Sequence, residues 1–195
     1  MEKLKSNLQN MVLVLVGVAL VCGGLLASVN EATASAIKAQ EEKTLSDGIK
    51  VVLAADEVKV TDTKPLSRNV NGKQLDFVVY TTDKGVAVQS TDPNGFGGNL
   101  TVLVGFDESG IIKGYTVLAH AETPGLGAKA GEWFQKGNPG CIVGLNPAEK
   151  NLTVANDGGD IQAITASTIT SRSFLRAVQE AYNTFKSSAS VEAGE

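Results

Sequence analysis

Residues 100–120 read LTVLVGFDESGIIKGYTVLAH. Two runs rich in Val, Ile, Leu and Thr flank Asp107-Glu108-Ser109-Gly110, where Gly110 can take the positive φ that a hairpin turn requires. The stretch therefore predicts two antiparallel strands and places them at the centre of an antiparallel sheet. Upstream, the β-rich runs 50–54 (KVVLA), 75–81 (LDFVVYT) and 85–90 (GVAVQS) are separated by turn residues such as Asn71-Gly72 and Asp83-Lys84-Gly85. Downstream, residues 121–141 (AETPGLGAKAGEWFQKGNPGC) read as a loop that opens on a rigid Pro-Gly turn and passes into a short amphipathic helix around Trp133 and Phe134. IVGLN (142–146) and NLTVAN (151–156) predict further short strands. Phe174, Val178, Ala181 and Phe185, at helical spacing, mark the apolar face of a C-terminal helix that packs on the sheet. The expected fold class is α+β, with a domain over residues 49–188 and a polar tail over 189–195.

The front of the chain differs in kind. Residues 11–29 (MVLVLVGVALVCGGLLASV) carry no charge, and as a helix rising about 1.5 Å per residue they nearly span the roughly 30 Å hydrocarbon core of a bilayer. Lys3 and Lys5 precede this run and Glu31, Glu41 and Glu42 follow it. The positive-inside bias thus puts residues 1–10 in the cytoplasm and the main domain on the extracytoplasmic side of the inner membrane. A cleaved signal peptide is the rival reading, since ATASA (32–36) has small residues at cleavage-site spacing. The apolar run exceeds the usual 7 to 15 residues of such a peptide, which favours a single-pass anchor. Residues 30–48, rich in helix formers and ending at Gly48, read as a helical stalk.

Composition excludes several classes of function. Glu2, Lys3 and Lys5 are the only charges before residue 30, so the rest of the chain carries 15 basic against 20 acidic residues, and nucleic acid is not expected as a partner. Cys22 lies in the apolar run and Cys141 in the domain, so no disulfide framework is expected, and Cys141 reads as a small buried hydrophobe. With a single histidine, His120, no His-based metal cluster is expected, and no GxSxG, Walker or GxGxxG motif occurs. The uncharged anchor offers no group that could couple ion movement to other chemistry.

Two elements rich in glycine and hydroxyls remain. One is HAETPGLGAK (120–129), where Gly125 and Gly127 permit close approach to a flat ligand and Leu126 offers an apolar contact. The other is TASTITS (165–171), at the start of a helix whose free N–H groups could seat a phosphate. One helix needs only one cap, for which Thr170 and Ser171 are the plain candidates, so the hydroxyls are in surplus. Arg172 and Lys129 are candidates to neutralise a phosphate, His120 to contact a ligand, and Trp133 to serve as core or as a stacking wall.

ETPGLG, followed about forty residues later by ITASTITSRSFLRAV, resembles the FMN-binding domain of the flavoprotein subunits RnfG and NqrC, as does the single anchor before it. The chain's short, compact linker is more similar to RnfG. In that family the last Thr of an (S/T)(G/A)(A/S)T motif carries FMN through a phosphoester. Thr165-Ala166-Ser167-Thr168 matches this pattern, with small Ala166 and Ser167 where Gly and Ala are commoner, and Asp160 stands where the flavin transferase reads an acidic residue. The resemblance implies covalent FMN on Thr168, with Thr165, Ser167, Thr170, Glu122, Thr123, Gly125, Leu126 and Gly127 around it. It further implies the G subunit of an Rnf-type membrane complex that couples electron transfer between ferredoxin and NAD to ion translocation. Such a subunit is part of an oxidoreductase without being catalytic in isolation; its partners are the other membrane subunits and a flavin transferase. The C subunit of a sodium-pumping NADH:quinone reductase is the nearer alternative, and an anchored scaffold or binding domain without flavin the farther one.

Overall fold

A computed structural model describes residues 7–70 and 72–192. Lys3, Lys5, Asn71 and the last residues of the expected polar tail lie outside the described residues. The chain divides into two compact units between Thr44 and Leu45.

The first unit is helical. Helix α1 spans Leu8–Leu53, so the expected anchor, stalk and first strand belong to one uninterrupted helix. Among the described residues it is the one helix long and apolar enough to cross a membrane. Its apolar side chains, such as Leu13, Leu20 and Leu26, are exposed within the chain itself.

Residues 50–53 are helical, not the expected strand. Their β-branched composition misleads, because Leu45, Ile49, Val52 and Leu53 fall at the helical spacing i, i+4, i+7, i+8, the last three in one buried cluster and Leu45, half-buried, packed against it. Gly48 does not stop the helix; its missing side chain lets α1 pack against Leu103, Thr116 and Leu118. The stop comes at Ala54, whose φ of 52° is left-handed, with Ala55 N–H donating to Lys50 O at 3.1 Å.

In the second unit five strands form an antiparallel meander in the order β1 (Val60–Val70), β2 (Lys73–Thr82), β3 (Gly85–Asp92), β4 (Leu100–Phe106), β5 (Ile112–His120). The 100–120 hairpin forms as expected, but it occupies one side of the sheet with β5 at the edge. Strand β1 has no counterpart among the expected strands. Its exposed side chains and Pro65 carry no buried alternation, a composition that suits an edge strand.

Helices cover both faces. Helix α3 (Thr168–Glu192) lies on one face, where Phe174, Val178, Ala181 and Phe185 meet Val88, Val102, Val104 and Phe106. The end of α1 lies on the other, against Tyr80, Ala87 and Leu103. Gly105 and Gly114 are paired across β4 and β5, and a Cβ on Gly105 would collide with the Val52 carbonyl. Bare backbone there admits the α1 terminus.

Helix α2 (Ala130–Trp133) covers the end of the core. The buried Tyr115 hydroxyl donates to Ala130 O at 2.9 Å and accepts from Phe134 N–H at 3.1 Å. The Phe134 ring stacks on Phe174, with centroids 4.3 Å apart and planes 4° apart. Residues 142–146 form turns, not the expected strand, although Gly144 and Leu145 exchange backbone hydrogen bonds with Ile112. In 151–156 only Val154 bridges, to Ile161.

Asp92 ties β3 to α3. Its buried carboxylate accepts from Ser173 Oγ at 2.9 Å, from Asn94 N–H at 2.7 Å and from Arg176 Nε at 2.8 Å. Burial pushes its pKa up, but hydrogen bonds from Arg176, Asn94 and Ser173 and the Arg176 charge outweigh that and hold it below the usual value. This stability is fully present above the unfolded carboxylate pKa of about 3.9 and is lost as pH falls through the depressed folded value. We expect the detergent-solubilised full chain to lose stability below about pH 4, and Asp92→Asn to lose about 1–3 kcal/mol at pH 6 while flattening that acid slope. Urea unfolding across the pH range is the measurement.

Candidate functional site

Three segments converge beyond the end of β5. In the first, His120 Nδ1 accepts the Glu122 N–H at 3.2 Å, and the N–H groups of Leu126 and Ala128 both donate to Thr123 O at 3.2 Å. The Pro124-Gly125 turn is thereby wound into a 3-10 turn over Gly127–Lys129. In the second, Ser167 N–H donates to Ile164 O at 3.0 Å, Ala166 takes φ 59°, and α3 begins at Thr168. The third is the loop between β3 and β4, residues 93–99, which follows Asp92.

Glu122 joins all three. The residue is 6% exposed, and its Oε2 accepts a 2.7 Å hydrogen bond from the buried Thr170 hydroxyl. Oε1 receives the Gly97 N–H at 3.4 Å. Gly127 is pressed into this junction, where a Cβ would lie 2.6 Å from both Glu122 Oε2 and Thr170 Oγ1. Close approach of the two sequence motifs therefore depends on a bare backbone at that position.

The result is a cleft of about 320 Å³. Of the residues singled out in the sequence, Glu122, Thr123, Leu126, Gly127, Ser167, Thr168 and Thr170 line it, and Thr165 and Gly125 do not. Phe96, Ala166 and Ile169 complete the lining. Sequence reasoning missed Phe96, whose one signal was a large aromatic in PNGFGGN, where a loop ordinarily carries polar residues.

The crowded hydroxyls have separate tasks. Thr170 is not a cap, because α3 begins two residues before it, and its hydroxyl donates instead to Glu122. Ser171 Oγ donates to Ser167 O and accepts the Ile164 N–H at 2.9 Å, fastening the incoming chain to the first turn of α3. Thr165 is exposed, and Thr168 is half-buried on the cleft wall. Backbone N–H groups at a helix start lack intrahelical acceptors and carry partial positive charge.

Among the described residues, no Lys or Arg lines the cleft. Arg172 instead clamps Asp157 through two hydrogen bonds of 2.6 and 2.7 Å, and its guanidinium holds that carboxyl below the usual range. Lys129 is exposed and outside the lining, and Asp160 accepts the Asn151 N–H. Trp133 packs against the core and donates to Gln162 O at 2.9 Å, away from the cleft lining, and Cys141 is half-buried. Among the described residues no cluster of His, Cys, Asp or Glu could hold a metal.

The chain matches the FMN-binding domain family over residues 95–183, a span that contains the whole cleft lining, and the RnfG N-terminal region over residues 1–52. It is 33% identical over 177 residues to the G subunit of the ion-translocating oxidoreductase complex of Shewanella baltica (strain OS223), covering 84% of this chain and 82% of that protein. This chain belongs to the RnfG family. The corresponding G subunit of Erwinia tasmaniensis is 34% identical over 80% of this chain and 79% of its own length. That of Yersinia pestis is 31% identical over 81% and 80%.

The site's residues fit FMN. A hydroxyl at a helix start can carry a phosphoryl group, the Gly127 cradle leaves backbone close to the cleft, and the volume falls in the range of small-molecule sites. Two stability changes test this local build. Thr170→Val removes a donor from a buried carboxylate, and we expect a loss of about 1–3 kcal/mol in urea unfolding. Ala166→Gly relieves a left-handed alanine at φ 59°, and we expect a gain of about 0.5–1 kcal/mol after glycine's larger entropy cost.

Proposed function

We propose that this chain is the flavoprotein G subunit of an Rnf-type ion-translocating oxidoreductase and carries FMN as a phosphoester on Thr168. One observation carries the reading: ETPGLG and TASTIT, far apart in sequence, meet at a single cleft, and the Thr168 side chain lies on its wall at the start of α3.

Thr168 acts as an acceptor, not as a catalyst. Its Oγ1 loses a proton and attacks the FMN-side phosphorus of a flavin dinucleotide held by the transferase; the phosphoanhydride bond breaks, the nucleoside monophosphate leaves carrying the other phosphate, and the protein gains the mass of FMN less one water. Free N–H groups in the first turn of α3 stabilise the remaining phosphate charge. Glu122 and Thr170 hold the two walls in register, and Asp160 is the acidic residue that a flavin transferase would read upstream.

The cleft's charge favours a tether over reversible binding. Among the described residues its lining contains the buried Glu122 and no basic side chain, so a diffusible anionic cofactor would lack the Arg or Lys that usually repays phosphate desolvation. An ester bond removes that requirement. It also retains the cofactor on the extracytoplasmic side, the side that Lys3 and Lys5 before the anchor favour for the domain.

Bound FMN supplies electron transfer through its isoalloxazine ring, while the protein orients and shields that ring. With no nicotinamide fingerprint in the sequence, electrons pass between this subunit and its membrane partners, ferredoxin and NAD being handled elsewhere in the complex. Ion coupling also belongs to those partners, since the anchor carries no charge.

The test is export of wild type and Thr168→Ala alongside a flavin transferase, followed by ultraviolet fluorescence of the denatured band and intact mass. We expect a fluorescent wild-type band heavier by FMN less one water and a dark, unmodified mutant. A dark wild type beside a labelled control substrate overturns the assignment.

A further inference from the structure

We propose that Phe96 is the residue that seats and shields the flat ring of the flavin, an inference that rests on the reading of Thr168 above. Phe96 is 68% exposed, and the other large apolar side chains of the cleft, Leu126 and Ile169, are 43% and 49% exposed. Single exposed apolar residues are ordinary; three on one concave site, each from a different segment, are not.

The loop that carries Phe96 is built to hold it there. Gly95 and Gly98 exchange backbone hydrogen bonds of 3.0 and 3.4 Å, closing a tight turn around Phe96 and Gly97. Gly97 N–H is tied to Glu122, and a Cβ on Gly97 would collide with the Ala121 carbonyl. The base of the loop is fixed by Asp92, which accepts the Asn94 N–H and is itself bound to Ser173 and Arg176 of α3. An aromatic ring is thus left in water on a rigid support.

Burial of such a ring is favourable, so its exposure leaves a stabilisation that an occupant can collect. A concave site with Leu126 and Ile169 on its other segments accommodates a flat ring attached at Thr168 between apolar surfaces. Phe96 is accordingly a positioning residue: it limits where the ring rests and excludes water from it, and the ester to Thr168 forms without it.

Phe96→Ala, Phe96→Tyr and wild type are to be exported with a flavin transferase and purified as full chains in detergent. Intact mass reports loading, iodide quenching of flavin fluorescence reports the ring's exposure, and urea unfolding reports the fold. We expect all three to carry FMN, their forms expressed without the transferase to unfold at equal midpoints, the quenching constant of the loaded protein to rise about threefold or more in Phe96→Ala, and Phe96→Tyr to match wild type. Loaded proteins with equal quenching constants overturn the inference while leaving Thr168 in place. Equal quenching with loss of co-purifying membrane subunits from Phe96→Ala overturns it too, and assigns the ring to a protein contact. An unloaded wild type overturns the functional reading itself and this inference with it.

Discussion

The hydrogen bond from Thr170 to Glu122 is the constraint on which the site depends. A carboxylate on a residue that is 6% exposed is costly to bury, and among the described residues no cation is bonded to it. What repays the cost is the Thr170 hydroxyl and a longer contact from Gly97 N–H. Each donor belongs to a different segment, so satisfying one charge positions the ETPGLG turn, the start of α3 and the 93–99 loop together. The glycine at 127 follows from the same constraint, because any side chain there would separate the donor from the acceptor.

A junction of this kind requires a stiff frame. The frame is a sheet covered on both faces, with α3 on one and the last turns of α1 on the other. Two devices fix it: the Gly105 and Gly114 pair, which lets α1 terminate directly on β4 and β5, and Asp92, which joins the end of β3 to α3. Since α3 both packs the core through Phe174 and presents Thr168 at its first residue, core packing sets the position of the proposed acceptor hydroxyl. The Phe134 ring stacked on Phe174 and the Tyr115 hydroxyl hold the 120–134 segment to the same helix.

Most of the architecture is legible in the sequence because its signals are periodic. Strands β2 to β5 show β-rich runs between turn residues, and α3 shows apolar residues at helical spacing. Residues 50–53 mislead because their β-branched composition speaks for a strand, whereas the spacing of Leu45, Ile49, Val52 and Leu53 speaks for a helix, and packing obeys spacing. Strand β1 is invisible since an edge strand with both sides wet needs no alternation. In the site, the two motifs are recognisable as local patterns, but their convergence is a tertiary fact. So is the part played by Thr170, whose place in a helix's first turn suggests capping until its partner, 48 positions away, is known. Phe96 shows only as a large aromatic in an otherwise small and polar loop.

The position of Ala166 connects local strain to the chemistry proposed for its neighbour. A left-handed residue two positions before Thr168 turns the chain sharply enough that Ser167 closes the turn on Ile164 while Thr168 starts the helix. An alanine can adopt that conformation only at a cost of about 1–2 kcal/mol, and it persists because Ser171 pins both ends of the turn through Ser167 O and Ile164 N–H. Such a turn leaves the Thr168 side chain half-exposed at a helix start, where an incoming enzyme can reach it and a phosphate can be stabilised. Glycine would make the same turn without strain, and alanine is tolerated because the surrounding hydrogen bonds already determine the shape.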